Sequence, residues 1–399
     1  MSPAETADAP IAPSDLPYTE AHSIFRASAR RFFETECAPH QEAWGKAKLA
    51  PRSIWARAGE MGFLCPRVPP EYGGAGADIL FSVILIEEQV RTGAIAPMMS
   101  LHSDIVAPYI TNYGTEDQKR RYLPGMASGQ TIAAIAMTEP SGGSDLQSMR
   151  TTARRDGDDY IINGQKTFIS NGICADLIIV AAKTDPDARA RGISLFLVEA
   201  DKAEGFARGR NLDKLGQHAS DTAELFFEDV RVPAANLLGG EEGRGFAQLM
   251  DRLVEERLMA SVASVAMIDR ALAITIDYVK GRKAFGQRIL DFQNTRFKLA
   301  EAKTEATVLH IFLERCLMEF MDGGLDPAAA AALKYWATDQ QCAIIDDCVQ
   351  LHGGYGYILD YPIAQMWVDG RITRIYAGAN EIMKDIIGRA VSAEATRDG

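Results

Sequence analysis

The sequence predicts an α+β chain in three consecutive parts: helices, then a central antiparallel β domain, then helices again. Three observations carry this. Apolar residues recur at helical spacing up to about residue 130. Short β-type runs punctuated by Gly, Asn and Asp fill the stretch from Thr131 to Val230. Long helical patterns return from Phe246 to Arg389. The expected divisions are a loose tail over 1–17, a helical domain over 18–132, a β domain over 133–241 and a helical domain over 242–399.

In order, Glu20 to Cys37 has helical spacing (Ile24, Phe25, Ala29, Phe32, Phe33), and Ser53 is a candidate cap for a second helix toward Met61. Pro69 to Gly76 is a loop by its Pro and Gly content, and its GxG is a weak phosphate signal because no strand precedes it. Asp78–Val90 and Ser103–Tyr113 read as helices, and Thr115 is positioned to cap the next. The β-type runs are Thr131–Thr138, Met149–Arg155, Tyr160–Asn163, Leu177–Lys183, Ile193–Glu199 and Ala223–Val230, with Asn163-Gly164 as a tight-turn signal. Helices are then expected at about 246–281, 293–322, 326–350 and near Asn380, the first turning a corner near Gly286.

A chain of 399 residues exceeds one hydrophobic core, so two or three domains are expected. The formal charge of −12 argues against a nucleic-acid or anionic-membrane surface. Six cysteines lack CxxC or zinc spacing and read as reduced, mostly buried residues. The longest apolar run, Ile79 to Ile86, contains a serine and is far shorter than a membrane span, and MSPAETADAPIAPSDLP resembles neither a secretory signal nor a transit peptide. These features lead to the expectation of a cytoplasmic protein with no nucleic-acid or membrane partner.

Rossmann, P-loop, zincin and α/β-hydrolase motifs are absent from the sequence, and no metal site is expected. One charged residue does interrupt an apolar helical row. Stepping by four and three gives Leu249, Leu253, Glu256, Ala260, Ala263 and Met267. A carboxylate there must be partnered or kept protonated, and it is a candidate for acid–base work as well as for a structural role. Glu255 falls on a row with Arg252, Asp251 and Gln248 that reads as solvated. Two hydroxyl- and glycine-rich loops, Thr138–Asp145 and Phe168–Gly172, offer N–H groups, hydroxyls and an aromatic face to a flat polar ring. They read equally well as tight turns closed by their own Ser, Thr and Asp side chains. Gly353-Gly354-Tyr355-Gly356 ends a long helix as a C-cap and leaves room for a pyrophosphate.

These loops, in this order, resemble the acyl-CoA dehydrogenase family of flavoenzymes, and the likeness runs from about Tyr18 to Arg389. AMTEPSGGSDLQS and QLHGGYGYILDYPIAQ are similar to the two family signatures. PPEYGGAG, FISNG, KLGQHASDT, FEDVRVP, RKAFGQ and IYAGANEIM are similar to other family blocks. The resemblance implies a C-terminal four-helix bundle, FAD, an acyl-CoA substrate, an electron-transfer flavoprotein as acceptor and a homotetramer built as a dimer of dimers.

By the same resemblance, Met137, Thr138, Phe168 and Ser170 hold the isoalloxazine ring, with Ile135, Gly143 and Ile169 beside them. Ser144 lies near both the flavin and the acyl-CoA. Arg282, Phe285, Ile289 and Gln293 reach the adenosine diphosphate part of FAD across a subunit interface. Gln350, Gly353 and Gly354 touch that same part, with Ala379, Asn380 and Glu381 nearby. Phe246, Ala247, Val254, Arg257 and Gly378 match substrate-side positions.

One departure bears on mechanism. Many members carry the catalytic glutamate directly after the tyrosine of the IY-x-G block, where this chain has Ala377. The long-chain and isovaleryl branch places it instead in an ER pair on the long helix, matched here by Glu256-Arg257, 26 residues before Arg282 (282 − 256). The resemblance therefore implies that Glu256 removes the pro-R α-proton while the β-hydride passes to flavin N5. The thioester oxygen would meet the ribityl 2′-hydroxyl and the backbone N–H of Ala377. Smaller departures are Ala284, where threonine is common, and Val368, where arginine is common. Oxidase, enoyl-CoA reductase and carrier-protein thioester chemistry, or a silent FAD-binding scaffold, are the alternatives within this resemblance.

Overall fold

A computed structural model describes residues 14–395. The loose tail expected over 1–17 falls, up to residue 13, outside the described residues. The N-terminal helices are α1 (Glu20–Phe32), α2 (Gln41–Ala47), α3 (Arg52–Glu60), α4 (Ile79–Thr92), α5 (Ala107–Tyr113) and α6 (Glu116–Ala127). Thr115 caps α6 as the spacing predicts: Gln118 N donates to its hydroxyl, and Thr115 N donates back to Gln118 Oε1. Ser53 does not cap α3. Pro51 holds that position in extended conformation, and Ser53 lies inside the first turn. The N–H that Pro51 lacks costs nothing there, because the first N–H groups at a helix start lack intrahelical partners anyway.

Seven strands follow: β1 (Ala133–Ala136), β2 (Thr152–Asp156), β3 (Asp159–Ser170), β4 (Leu177–Lys183), β5 (Ile193–Glu199), β6 (Phe206–Asn211) and β7 (Thr222–Pro233). They form one sheet in the order β1-β4-β2-β3-β7-β6, with β5 also paired to β4. Most pairs are antiparallel, but β1 runs parallel to β4, and β2 meets β4 in parallel at Thr152–Lys183. The β1–β4 pair departs from the all-antiparallel expectation, because the long excursion from β1 to β4 lets the chain return in the same direction. The edge strand β6 was not foreshadowed, since Phe-Ala-Arg-Gly-Arg-Asn has no apolar alternation.

The chain packs as two compact units. One collects Ile24–Leu85 and Ala94–Leu253; the other collects residues up to Ser23, Ile86–Gly93 and Val254 onward. In the first unit both faces of the central strands are buried, so β4 and β5 read as unbroken apolar runs. Leu177, Ile179, Leu195 and Leu197 face one core with Tyr109, Ile110, Leu123 and Met126 of the helices. Ile178, Val180, Phe196 and Val198 face the other, with Tyr160, Leu225 and Val230. Sharing a core with the sheet makes the N-terminal helices and the strands a single packed body.

Helix α7 (Gly245–Gly281) is followed by a two-strand hairpin, β8 (Lys283–Ala284) and β9 (Gln287–Arg288). The corner expected near Gly286 is thus a hairpin, with Phe285 and Gly286 both at positive φ. Then come α8 (Gln293–Met321), α9 (Pro327–His352), α10 (Pro362–Gly370) and α11 (Asn380–Ala395). Among the described residues α7 is long and apolar enough to cross a membrane by length and composition. Of its apolar 18-residue window 56% is buried inside the chain, which is the behaviour of a core helix.

Asn163-Gly164 is not a hairpin turn; it lies within β3 at a register shift against β7. The β2–β3 turn is at Gly157 instead, with φ 64. Gly164 has φ 149, and a Cβ there would lie 2.4 Å from Thr151 Oγ1 and 2.7 Å from its Cα. Glycine is present because Thr151, on the β2 side, approaches its backbone too closely for a Cβ. Gly164→Ala is expected to lose on the order of 1–3 kcal/mol, seen as a lower urea midpoint; an unchanged midpoint would show that the bulge relaxes freely.

Candidate active site

Strand β1 delivers Met137 and Thr138 to the edge of the sheet, and β3 delivers Lys166 beside them. Lys166 and Glu139 are both buried and paired, with Nζ 2.8 Å from Oε1. A charge taken out of water needs such a partner and further hydrogen bonds, and both are supplied. Lys166 Nζ also donates to Met137 O at 3.1 Å. Arg150 N and Thr151 N donate to the Glu139 carboxylate at 2.6 and 3.0 Å. Thr167 N completes the junction by donating to Thr138 O. Burial pushes the Glu139 carboxyl up, but the Lys166 ammonium and these N–H donors outweigh it and hold it down at about 2. Burial pulls Lys166 down against the attraction of Glu139.

This pair fastens the two loops singled out in the sequence. The second is the end of strand β3 rather than a free loop, with a register shift between Lys166 and Ile169. The shift turns Phe168 outward at φ 59, leaving its ring 67% exposed while Ile169 and Asn171 are buried. Gly143 packs against Thr138, Ser144 is exposed, and Ser170 is half-buried. Ile135 is buried in β1, Met137 and Phe246 pack on the same core cluster, and Ala247 is exposed. An exposed ring beside hydroxyls and backbone ends suits a flat heteroaromatic ligand with a polar edge.

In the second unit, Glu256 is buried on α7, 5% exposed. Glu255, expected on a solvated row, is buried as well at 1%. Residues 255–259 are all buried, so α7 has no wet face at this level. Arg257 is buried beside Glu256, and its Nε has no hydrogen-bond partner. Burial lowers its pKa, opposed by the Glu256 carboxylate. Val254, one residue into this unit, is half-buried.

Across from this pair, Lys334 of α9 is wholly buried. Its Nζ donates to Gly378 O at 2.7 Å and to Asn380 Oδ1 at 2.9 Å. Asn380 Nδ2 donates in turn to Thr338 Oγ1 and Asp339 Oδ1, both at 2.9 Å. The Asn380 side chain is therefore committed within the protein. Burial first, and then the nearby Arg257 cation, bring Lys334 down to about 8. Arg257, Lys334 and the 377–380 turn thus lie together, with Glu256 next to Arg257 in sequence. Ala377 has φ 53 and Gly378 φ 95; for the alanine this left-handed conformation costs roughly 1–2 kcal/mol. Ala377, Gly378 and Ala379 are half-buried, and Glu381 is exposed.

A separate group forms at the far end of α7. The Arg282 guanidinium lies 5.7 Å over the Tyr355 ring, and Tyr278 Oη donates to His352 O. Arg282 is thereby brought to the Gln350–Gly354 segment, whose Gln350, Gly353 and Gly354 are exposed. Phe285 at the hairpin tip is 95% exposed, Ile289 is half-buried and Gln293 is exposed. Twenty-six residues of helix put Arg282 about 39 Å from Glu256 along the axis (1.5 Å per residue). The structure does not bring these two together.

Sequence reasoning missed Glu139, Lys166 and Lys334 as organisers. A signal for Lys334 was present: Ala330, Ala331, Ala337 and Thr338, three and four residues away, form its buried row on α9, a charge interrupting a buried stripe as Glu256 does. Lys166 follows the buried positions Tyr160 and Ile162 on one side of β3, two and three steps of alternation earlier.

Three family models match the chain in series: acyl-CoA dehydrogenase N-terminal domain over residues 19–130, middle domain over 134–230 and C-terminal domain over 243–392. A mitochondrial long-chain specific acyl-CoA dehydrogenase of Sus scrofa is 48% identical over 376 residues, 94% of this chain and 87% of that protein. The crystal structure of an acyl-CoA dehydrogenase from Geobacillus kaustophilus matches with TM-score 0.93 at 49% identity, over 95% of this chain and 100% of that one. A glutaryl-CoA dehydrogenase from Mycobacterium smegmatis, solved in complex with FADH2, matches with TM-score 0.87 at 29% identity, over 94% of this chain and 95% of that one.

Removing one partner of the buried pair leaves an uncompensated charge, so Lys166→Met is expected to cost about 3–5 kcal/mol, read from chemical unfolding. The pH dependence has a definite sign. The folded value for Glu139 lies below its ordinary 4.5, so its stabilisation is complete above that pH and is lost as pH falls toward 2. A Glu139→Gln variant should show a shallower loss of stability over that window, and an equal slope would remove Glu139 from the account.

Proposed function

This chain belongs to the acyl-CoA dehydrogenase family, and on that premise we propose that it oxidises a saturated acyl-CoA to the trans-2-enoyl-CoA. The cofactor is FAD, which when bound supplies the acceptor for the hydride leaving the β-carbon. The residues present fit it: the exposed Phe168 ring with Thr138, Met137 and Ser170 offers the face and edge that a flavin ring needs, and Ser144 stands on the adjoining turn.

The observation that carries the reading is the burial of Glu256 on α7 in a chain whose residue 377 is alanine. Glu256 takes the α-proton of the thioester, and its carboxylate becomes the carboxylic acid. A positioned general base contributes roughly 10²–10⁴-fold. The Ala377 N–H donates to the thioester carbonyl oxygen and stabilises the charge that develops there. That group is backbone, so a missing glutamate side chain at 377 leaves it intact. Arg257, buried next to Glu256, stands on the substrate side with Val254 and Gly378.

We propose a long or branched acyl chain on two grounds: residues 247 and 377 are both small alanines, and the relative from Sus scrofa is named for long-chain substrates. Arg282, Phe285, Ile289, Gln293, Gln350, Gly353 and Gly354 would then serve the diphosphate and adenosine of a neighbouring subunit's FAD. Their distance from Glu256 along α7 and their exposure support this, as does the match of a guanidinium fork to a diphosphate. The assembly proposed is a homotetramer, and the acceptor an electron-transfer flavoprotein. Six cysteines, all free, support a reducing compartment, for which we propose the cytoplasm.

Anaerobic titration of the yellow protein with acyl-CoA esters of graded length tests the reading. Wild type should bleach, most readily with long or branched chains, while Glu256→Gln should keep its flavin and bleach at least about 10²-fold more slowly. Undiminished bleaching by that variant would overturn Glu256 as the base. Glu256→Ala with Ala377→Glu should recover part of the rate if both positions face one α-carbon.

A further inference from the structure

We propose that Lys334 is a positioning residue: it latches the 377–380 turn to α9 and so aims the Ala377 N–H at the substrate carbonyl. This rests on the reading of Ala377 given above and deepens it.

Ala377 is the residue of this turn whose conformation is least favourable. An L-residue with a Cβ avoids φ 53 unless surrounding contacts impose it. Its own side chain is a methyl group and makes no hydrogen bond, so its neighbours impose the constraint: Ile375 N and Tyr376 N donate to Ile372 O on the approach, and the exit is held from α9. Lys334 supplies that hold directly, because its ammonium donates to the carbonyl of Gly378, the next residue, at 2.7 Å. The same ammonium holds Asn380 Oδ1 at 2.9 Å, and Asn380 is locked by Thr338 and Asp339 of α9. The turn is therefore pinned at two points, two residues apart, by one buried side chain. Asn380 also begins α11, so the latch fixes where that helix starts.

The groups around Lys334 fit this role. Arg257, Asp339, Glu381 and Arg374 act on it from α7, α9, α11 and the segment after α10. Asp339 is already engaged by Arg374 at 2.6 Å. No carboxylate is hydrogen-bonded to the Lys334 ammonium among the described residues; its recorded acceptors are the turn's own oxygens. A lysine present only to neutralise a buried acid would be bonded to that acid, whereas this one is bonded to the backbone it would have to hold.

The test uses the full-length flavoprotein with Lys334→Met, which keeps the stem and removes the donors. Hydrogen–deuterium exchange of the segment 374–383 should rise locally, with the rest of the chain unchanged. At saturating acyl-CoA, flavin bleaching should slow by about 10–100-fold with KM little altered, as expected for a misaimed donor. Glycine tolerates positive φ without strain, so the penalty of Lys334→Met should be smaller in an Ala377→Gly background. A lysine that merely stabilises α9 would give equal penalties in the two backgrounds. Equal penalties, or unchanged exchange over 374–383, overturn the proposal. If wild type itself fails to bleach with every acyl-CoA tried, the dehydrogenase reading fails separately, and the exchange measurement still decides whether the latch exists. Should Lys334→Met not fold, Lys334→Gln, which retains one amide donor on a shorter stem, carries the same exchange test.

Discussion

A buried ammonium that cannot do without acceptors is the constraint on which both loops of the β-containing unit depend. Lys166 satisfies itself with the Glu139 carboxylate and the Met137 carbonyl, and those acceptors lie in the segment that leaves β1. The sheet gives that segment little hold: beyond Ala136 the pairing to β4 ends, Thr167 N still reaches Thr138 O, and the turn at 139–142 is closed locally by Glu139 with Gly142 and Ser141. Glu139 extends the junction to Arg150 and Thr151 at the approach to β2. Breaking one partner exposes the other to an uncompensated burial cost, so the loops are positioned or lost together.

The helical unit repeats the device with different acceptors. Lys334 meets a backbone carbonyl and an amide oxygen rather than a carboxylate. Arg257 is the cation that acts on both, drawn to the Glu256 carboxylate and lowering the affinity of Lys334 for its proton. A chain that moves its base from residue 377 to residue 256 still needs the 377 backbone in place. The latch meets that need without any side-chain function at 377. Preorganised dipoles act where charge develops only if the backbone carrying them does not move.

Helix α7 sets the scale of the second unit. Its continuous 37 residues place a buried acid–cation pair near one end and an exposed Arg–aromatic group at the other. One rigid element thereby serves two separate surfaces, which explains why residues that look clustered in a list of family motifs are far apart in space.

Much of this was legible in the residues themselves. Helical and strand periods, the Thr115 capping box, the loop motifs and the charged interruption at Glu256 are local patterns, and local geometry alone generates them. Tertiary structure decided the rest: the burial of Glu255, the conversion of Asn163-Gly164 from turn to bulge, the parallel β1–β4 pair, the strand β6 and the roles of Lys166 and Lys334. Each of these depends on which distant segment packs against the residue. A 3.6- or 2-residue period tells which side chains share a face, but only the packed chain decides whether that face meets water, an apolar wall or the carbonyl that a buried lysine requires.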